Sequence, residues 1–222
     1  MPNKTIVSSD KPVCLVGGAP IAKDAISAVL SLVECFVGVD SGTDHLLAAN
    51  VTPAAVVGDL DSLSDQARAA FTGCLHHIAE QSTTDFEKAL TRIDAPCILG
   101  LGFTGGRLDH TLSVLNVMAQ HMDKAVILID AEDVSFIAPL GRTAFQADRD
   151  TRVSITPVGM ANVTVSGLQW PFQNMCMTLN GFSSPSNAAS GGSISIDTDG
   201  PVLITLPRAL LPIALQAAAR AE

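Results

Sequence analysis

Ala54-Ala55-Val56-Val57-Gly58-Asp59-Leu60-Asp61-Ser62 is the stretch whose reading decides the fold. Its first half is a short apolar run between Pro53 and Gly58, without the polar alternation of a half-exposed strand. Such a run makes a strand covered on both faces, the kind found in parallel sheets. The acidic half then falls at the strand's carboxyl end, the edge where an open α/β sheet takes its ligands. Two carboxylates about 5 Å apart repel by roughly 3 kcal/mol at an effective dielectric of about 20. A divalent cation removes that cost, and magnesium takes one or two carboxylates with water and phosphate completing its octahedron. The competing reading is a helix start capped by Asp61 or Ser62, which needs only one of the two acids.

The same alternation continues on either side. Apolar runs at Val13–Val16, Phe36–Val39, Leu75–Ala79, Cys97–Leu101 and Ala125–Ile129 alternate with helical patterns. The helical patterns cover Ala22–Leu32, Thr43–Ala49, Ser64–Phe71, Asp85–Arg92 and Leu108–His121, and in the last Leu108, Leu112, Leu115, Met118 or Ala119, and Met122 form one apolar stripe. The expected fold class is α/β: an N-terminal Rossmann-like parallel sheet with helices on both faces. Near Ala138 the pattern changes to short β-like segments broken by Gly159, Gly167, Gly181, Pro185, Gly191-Gly192 and Asp199-Gly200. That punctuation predicts a C-terminal all-β sandwich, with Met175–Leu179 among its strands and the Ala- and Leu-rich tail Pro207–Glu222 as a closing helix. The expected domains are therefore 1–138 and 139–222.

Of 222 residues, 47% are hydrophobic and 16% charged, which supports a sizeable core and argues against disorder. A net charge of -9 excludes general nucleic-acid binding, because no run of cations would neutralise a phosphate backbone. A small phosphorylated ligand, screened by a metal and one or two local cations, is still allowed. Cys14, Cys35, Cys74, Cys97 and Cys176 are scattered without a C-x-x-C pair; four sit in or beside apolar runs, where a free thiol is a small hydrophobe, and a reducing setting is expected. The N-terminus leads into no signal-type hydrophobic region, and no apolar stretch reaches membrane-spanning length without a charge or proline. A cytoplasmic protein without membrane or nucleic-acid partners is expected.

Two further acid-bearing segments follow apolar runs. Thr84-Asp85-Phe86-Glu87 satisfies a capping box, which uses Thr84 and Glu87 and leaves Asp85 free as a metal or nucleotide ligand. Lys88, one turn in, reads as a solvated helix residue. Gly105-Gly106-Arg107-Leu108-Asp109-His110 lets backbone amides approach an anion at a helix start, with the Arg107 fork available for phosphate oxygens. Asp40-Ser41-Gly42 ends another apolar run, where the acid either accepts hydrogen bonds from a ribose or base or caps the next helix. Gly17-Gly18-Ala19-Pro20 is compatible with nucleotide contact but is neither the dinucleotide fingerprint nor a P-loop.

Taken in order, Val39-Asp40-Ser41-Gly42, Gly58-Asp59-Leu60-Asp61-Ser62, Thr84-Asp85-Phe86-Glu87-Lys88-Ala89-Leu90 and Gly105–His110 resemble the thiamine pyrophosphokinases. Gly167-Leu168-Gln169-Trp170-Pro171 and Ser186-Asn187 match that family more loosely. The resemblance implies an α/β ATP-binding domain followed by a thiamine-binding β-sandwich, in a homodimer with active sites between subunits. It implies transfer of a pyrophosphoryl group from ATP to the hydroxyl of thiamine, releasing AMP. Carried over by position, Asp59, Asp61 and Asp85 hold Mg2+ and the polyphosphate, and with Arg107 make the catalytic set. Asp40, Gly42, Thr84, Gly105, Gly106, Arg107 and Asp109 contact ATP, and Trp170, Ser186 and Asn187 face the thiamine rings. Ser82 and Ala188 stand where family members often carry acids. Two alternatives stay open: a binding protein that has lost turnover, and a related diphosphotransferase acting on another alcohol, such as a pterin alcohol.

Overall fold

The computed structural model describes residues 4–219; the expected features at 1–3 and 220–222 lie outside them. The architecture is mixed α/β and divides into two compact units. One runs to Val117 and takes back Leu128–Ala131; the other holds Met118–Ile127 and the described residues from Glu132 onward.

In the first unit the strand Val13–Val16 is wholly buried. Cys35–Val39, Ala55–Gly58 and Leu75–His77 add in turn on one side, and Ile98–Leu101 on the other. The five strands from Val13 to Leu101 that share this sheet run parallel. Apart from Cys35 and the edge strand Leu75–His77 their residues are buried, with Leu15, Val37, Val56 and Leu99 at 0% exposure, as expected of strands covered on both faces. Because the chain first builds outward on one side and only later returns to the other, strand order reverses beside Val13–Val16. A crevice opens there, outside the carboxyl ends.

The helices are Ala25–Val29, Thr43–Ala48, Asp65–Ala70, Asp85–Leu90 and Leu108–Gln120, each shorter than its sequence pattern. The apolar stripe expected on the last helix is corrected. Leu108 and Leu112 are 72% and 56% exposed, while Val114, Val117 and Met118 are buried. Its first two turns border a cavity instead of packing on the sheet, so only the later turns bury an apolar face. A short parallel pair, Val7–Ser8 with Ile93–Asp94, was not legible from the pattern.

The second unit contains two four-stranded antiparallel arrangements. One orders Gly141–Ala147, Gly192–Thr198, Ala161–Ser166 and Phe172–Met177; the other orders Ser184–Ala188, Arg152–Pro157, Val202–Pro207 and Asp133–Ile137. Ala161–Ser166 alternates buried and exposed residues without exception, the period of a strand with one wet face. The helix Leu211–Ala218 packs on the strands Gly141–Ala147 and Asp133–Ile137. Two expectations shift here. The strand expected to run to Leu179 ends at Met177, because Gly181 N–H closes a turn onto Thr178 O at 2.9 Å. Pro185, expected in a turn, lies in a strand at the sheet's edge, where a missing N–H costs no ladder bond.

Candidate active site

The carboxyl ends of the parallel strands surround a cavity of about 660 Å³. Gly17–Pro20 follows the central strand, Asp40 and Ser41 the next, Asp59 and Asp61 the third; Gly102 and Phe103 close the other side. Glycine lets these turns touch. A β-carbon at Gly42 would lie 2.0 Å from the Val16 carbonyl oxygen, and one at Gly17 would lie 2.6 Å from Gly102 O. The aromatic pair Phe86 and Phe103, edge to face at 4.8 Å, also lines the cavity.

Three carboxylates converge at its mouth. Asp40, Asp59 and Asp61 each offer an oxygen within 4.8 Å of the others. At that spacing each ionised pair repels by about 3 kcal/mol at an effective dielectric near 20, less where water reaches Asp61. Asp40 is only 9% exposed, takes a left-handed φ of 47°, and its Oδ1 has no hydrogen-bond partner. Burial pushes its carboxyl above the usual range; a backbone hydrogen bond at Ser41 opposes this, and the charges of Asp85, Asp61 and Asp59 reinforce it. A buried carboxyl with an orphaned oxygen, grouped with two further acids, fits a hard divalent cation, which takes oxygen ligands and removes the repulsion.

Asp85 is turned differently from the other three. Its Oδ1 accepts the Asp59 N–H at 3.3 Å and Lys88 Nζ at 2.9 Å. Lys88 also lies 3.6 Å from Asp59 Oδ2, and it is 1% exposed. The solvated role read for Lys88 is therefore corrected: the side chain is a buried counter-ion inside the acid cluster. Burial works against its charge, but the hydrogen bond and charge of Asp85, with Asp59 and Glu80, leave its pKa raised. Gln81 donates to Asp59 Oδ2 at 3.1 Å and is the first cause holding the Asp59 carboxyl low. Gln81 sits in a loop organised by Glu80, whose carboxylate accepts from Ser82 N, Ser82 Oγ and Thr83 N at 2.8, 2.6 and 3.1 Å and from Thr83 Oγ1. Those bonds draw Glu80 down to about 2.

On the anion side, Gly106 and Arg107 line the cavity just ahead of the helix Leu108–Gln120. Arg107 grips Asp109 through Nε at 3.2 Å and Nη2 at 2.6 Å, both side chains being largely exposed. Thr84 caps its helix, accepting the Glu87 N–H at 3.3 Å, and lines the cavity as well. The structure thus gathers Asp40, Asp59, Asp61, Thr84, Asp85, Gly106 and Arg107 around one space. Gly42, Gly105 and Asp109 are not among its lining residues. Lys88, Gln81, Thr83 and Phe103, which sequence reasoning passed over, are. For Lys88 a signal existed: it stands three residues after Asp85, between Phe86 and the apolar Ala89-Leu90, on a helix whose face is buried.

The second unit holds the remaining predicted residues. Trp170 is 62% exposed, while Asn187 is 2% exposed. The Asn187 amide accepts from Trp170 N at 3.3 Å and Ala188 N at 2.8 Å, and donates to Trp170 O at 2.8 Å and Ser184 Oγ at 3.0 Å. All its polar capacity is used inside the chain, so it braces the Trp170 segment. Ser186 adopts φ 56° and donates its N–H to Ser154 Oγ at 3.0 Å.

Glycine-lined turns at strand carboxyl ends, a helix start beside an arginine and a carboxylate trio define a nucleotide-dependent phosphotransferase of the mixed α/β class. Known proteins narrow this. Residues 27–129 match the family model for the thiamin pyrophosphokinase catalytic domain, and residues 144–203 that for the thiamin pyrophosphokinase vitamin B1 binding domain. The chain is 29% identical over 184 residues to thiamine pyrophosphokinase of Bacillus subtilis, covering 76% of this chain and 85% of that one. Crystallised thiamin pyrophosphokinase from Geobacillus thermodenitrificans superposes with a TM-score of 0.73 at 28% identity, covering 88% and 96%. That from Candida albicans superposes at 0.76 with 16% identity, covering 93% and 95%, a likeness of fold. The chain belongs to the thiamine pyrophosphokinase family.

Proposed function

We propose that this chain transfers the pyrophosphoryl group of ATP to the hydroxyl of thiamine, giving thiamine diphosphate and AMP. Its Rossmann-like part, residues 1–138, binds ATP; its β-sandwich part, residues 139–222, binds thiamine and forms the contacts of a homodimer with active sites between subunits. The matched catalytic and vitamin B1 binding domains support that division. One observation carries the reading of the ATP side: Asp40, Asp59 and Asp61 each offer a carboxylate oxygen within 4.8 Å of the others, and the buried Asp40 carboxyl has an unpartnered Oδ1. Asp59 and Asp61 would hold Mg2+, with Asp40 as the nearest third acid. Asp85, first read as a ligand, contributes through its bonds to Lys88 and the Asp59 N–H. When bound, the ion would offset charge developing on the phosphate oxygens.

The chain's own groups do the rest. The thiamine hydroxyl oxygen bonds to the β-phosphorus as the bridge to the α-phosphate breaks, and AMP leaves. Positioning and charge stabilisation supply most of the acceleration in such transfers. Backbone N–H groups near Gly106 and the start of the long helix favour the polyphosphate's charge. Arg107 supplies a fork for its oxygens once released from Asp109. Trp170, exposed and held by Asn187, offers a face for the cationic thiazolium ring. A cytoplasmic location is consistent with this chemistry, and no helix of the described residues is long and apolar enough to cross a membrane.

The test is one incubation with magnesium, ATP and thiamine, followed by resolution of the nucleotides. AMP with thiamine diphosphate is expected. ADP in its place refutes the reading, as does binding without turnover or AMP formed only with another alcohol.

A further inference from the structure

The turn carrying Asp59 and Asp61 is held from behind. Leu60, between them, takes φ 62°, a left-handed backbone that its β-carbon resists. Two contacts impose it. The Leu60 side chain is 4% exposed and packs with Val56, Leu63, Ala67 and Phe71. Its carbonyl accepts from Arg68 Nη2 at 2.5 Å. Arg68 stands on the helix Asp65–Ala70, whose start is pinned: Ser64 Oγ accepts the Ala67 N–H at 3.1 Å and itself bonds Asp44 of the preceding helix.

The Leu60 carbonyl and the Asp61 N–H belong to one planar trans peptide and point in opposite directions. Holding the carbonyl toward Arg68 therefore aims the Asp61 N–H the other way. There it donates to Asp59 Oδ1 at 3.4 Å. We propose that Arg68 is a positioning residue for the cation site, setting the spacing of the Asp59 and Asp61 carboxylates by fixing the peptide plane between them. The inference rests on the reading of those two acids as cation ligands. Arg68 is not among the residues lining the cavity, so its effect passes through Leu60.

The experiment measures Mn2+ affinity of nucleotide-free protein by electron paramagnetic resonance, with steady-state kinetics in parallel. Arg68→Met keeps the apolar stem and removes the donor. Losing an outer-shell partner weakens metal affinity by about 10- to 100-fold, and the lower end is expected for this exposed side chain. The magnesium KM should rise with it while kcat at saturating magnesium stays within about threefold. Arg68→Lys, which restores one donor, should recover most of the affinity. Melting temperature verifies the fold, and Arg68→Leu, which likewise has no donor, replaces Arg68→Met should that variant lose its transition. Unchanged Mn2+ affinity in a folded donor-free variant overturns the positioning role, while Asp59→Asn still weakening Mn2+ leaves the metal reading intact. Wild-type protein that binds no Mn2+ overturns both.

Discussion

Replacing Lys88 with methionine tests whether the acid cluster is balanced from within. Lys88 Nζ lies 2.9 Å from Asp85 Oδ1 and 3.6 Å from Asp59 Oδ2. At an effective dielectric of about 20 these contacts amount to roughly 6 and 5 kcal/mol of gross attraction. Most is offset by the desolvation of an ammonium whose side chain is only 2% exposed. Removing one partner of a buried pair costs about 3–5 kcal/mol. Here the two acids keep 31% and 16% exposure and water can relieve them, so about 2–3 kcal/mol is the appropriate figure. For a chain of this length that lowers the melting temperature by roughly 4–12 °C in metal-free buffer. Magnesium should restore more of the loss in Lys88→Met than it adds to wild type, because the cation supplies the missing positive charge. Calorimetry of both proteins, with and without magnesium, checks this. A metal-free melting temperature unchanged to within 1–2 °C, or equal magnesium increments, refutes the balancing role.

Other outcomes follow from the same geometry. Asp59→Asn and Asp61→Asn should each abolish measurable turnover while leaving the far-ultraviolet spectrum unchanged; near-normal rates in both contradict the cation site. Asn187→Ala removes four part-buried hydrogen bonds at once and should cost about 2–4 kcal/mol in urea unfolding. Trp170→Ala, at a 62% exposed position, should leave that stability unchanged and raise the thiamine KM about 2- to 30-fold, the span of a cation–π contact. A thiamine KM equal to wild type removes Trp170 from the site.

How much of this was legible depended on whether a signal was local. The strand Ala55–Gly58 and the acids after it could be read directly, because a buried parallel strand is an unbroken apolar run and its carboxyl end is the next residue. Thr84 as a cap was legible for the same reason: Thr and Glu three apart satisfy each other within one turn. Lys88 was not, because its helix packs on the strands Ala55–Gly58 and Cys35–Val39, and its second counter-ion, Asp59, lies 29 positions away. The stripe on the long helix misled because periodicity marks an apolar face without saying what covers it; Leu108 and Leu112 lie beyond the sheet's cover. Pro185 misled in the opposite sense, since an edge strand tolerates what a central strand excludes. Ser186-Asn187 was read through the family resemblance, and the bracing by Asn187 shows only once its own strand and the Trp170 segment supply its four partner atoms.

The cavity's charge explains why a metal and a nucleotide should arrive together. Asp40, Asp59, Asp61 and Asp85 face Lys88 and Arg107 across its lining, which leaves a formal charge of -2. A free triphosphate, itself strongly anionic, meets net repulsion there, and burial makes that repulsion harder to screen. Arg107 cannot reverse this alone, because its fork is already on Asp109. ATP in chelator-treated buffer should therefore bind at least about tenfold more weakly than with magnesium, a difference of about 1.4 kcal/mol by the ordinary conversion. Equilibrium dialysis with labelled ATP measures it. Equal affinity with and without the cation would mean that the aspartates answer to something other than the polyphosphate's charge. The orphaned Asp40 oxygen would then need another partner.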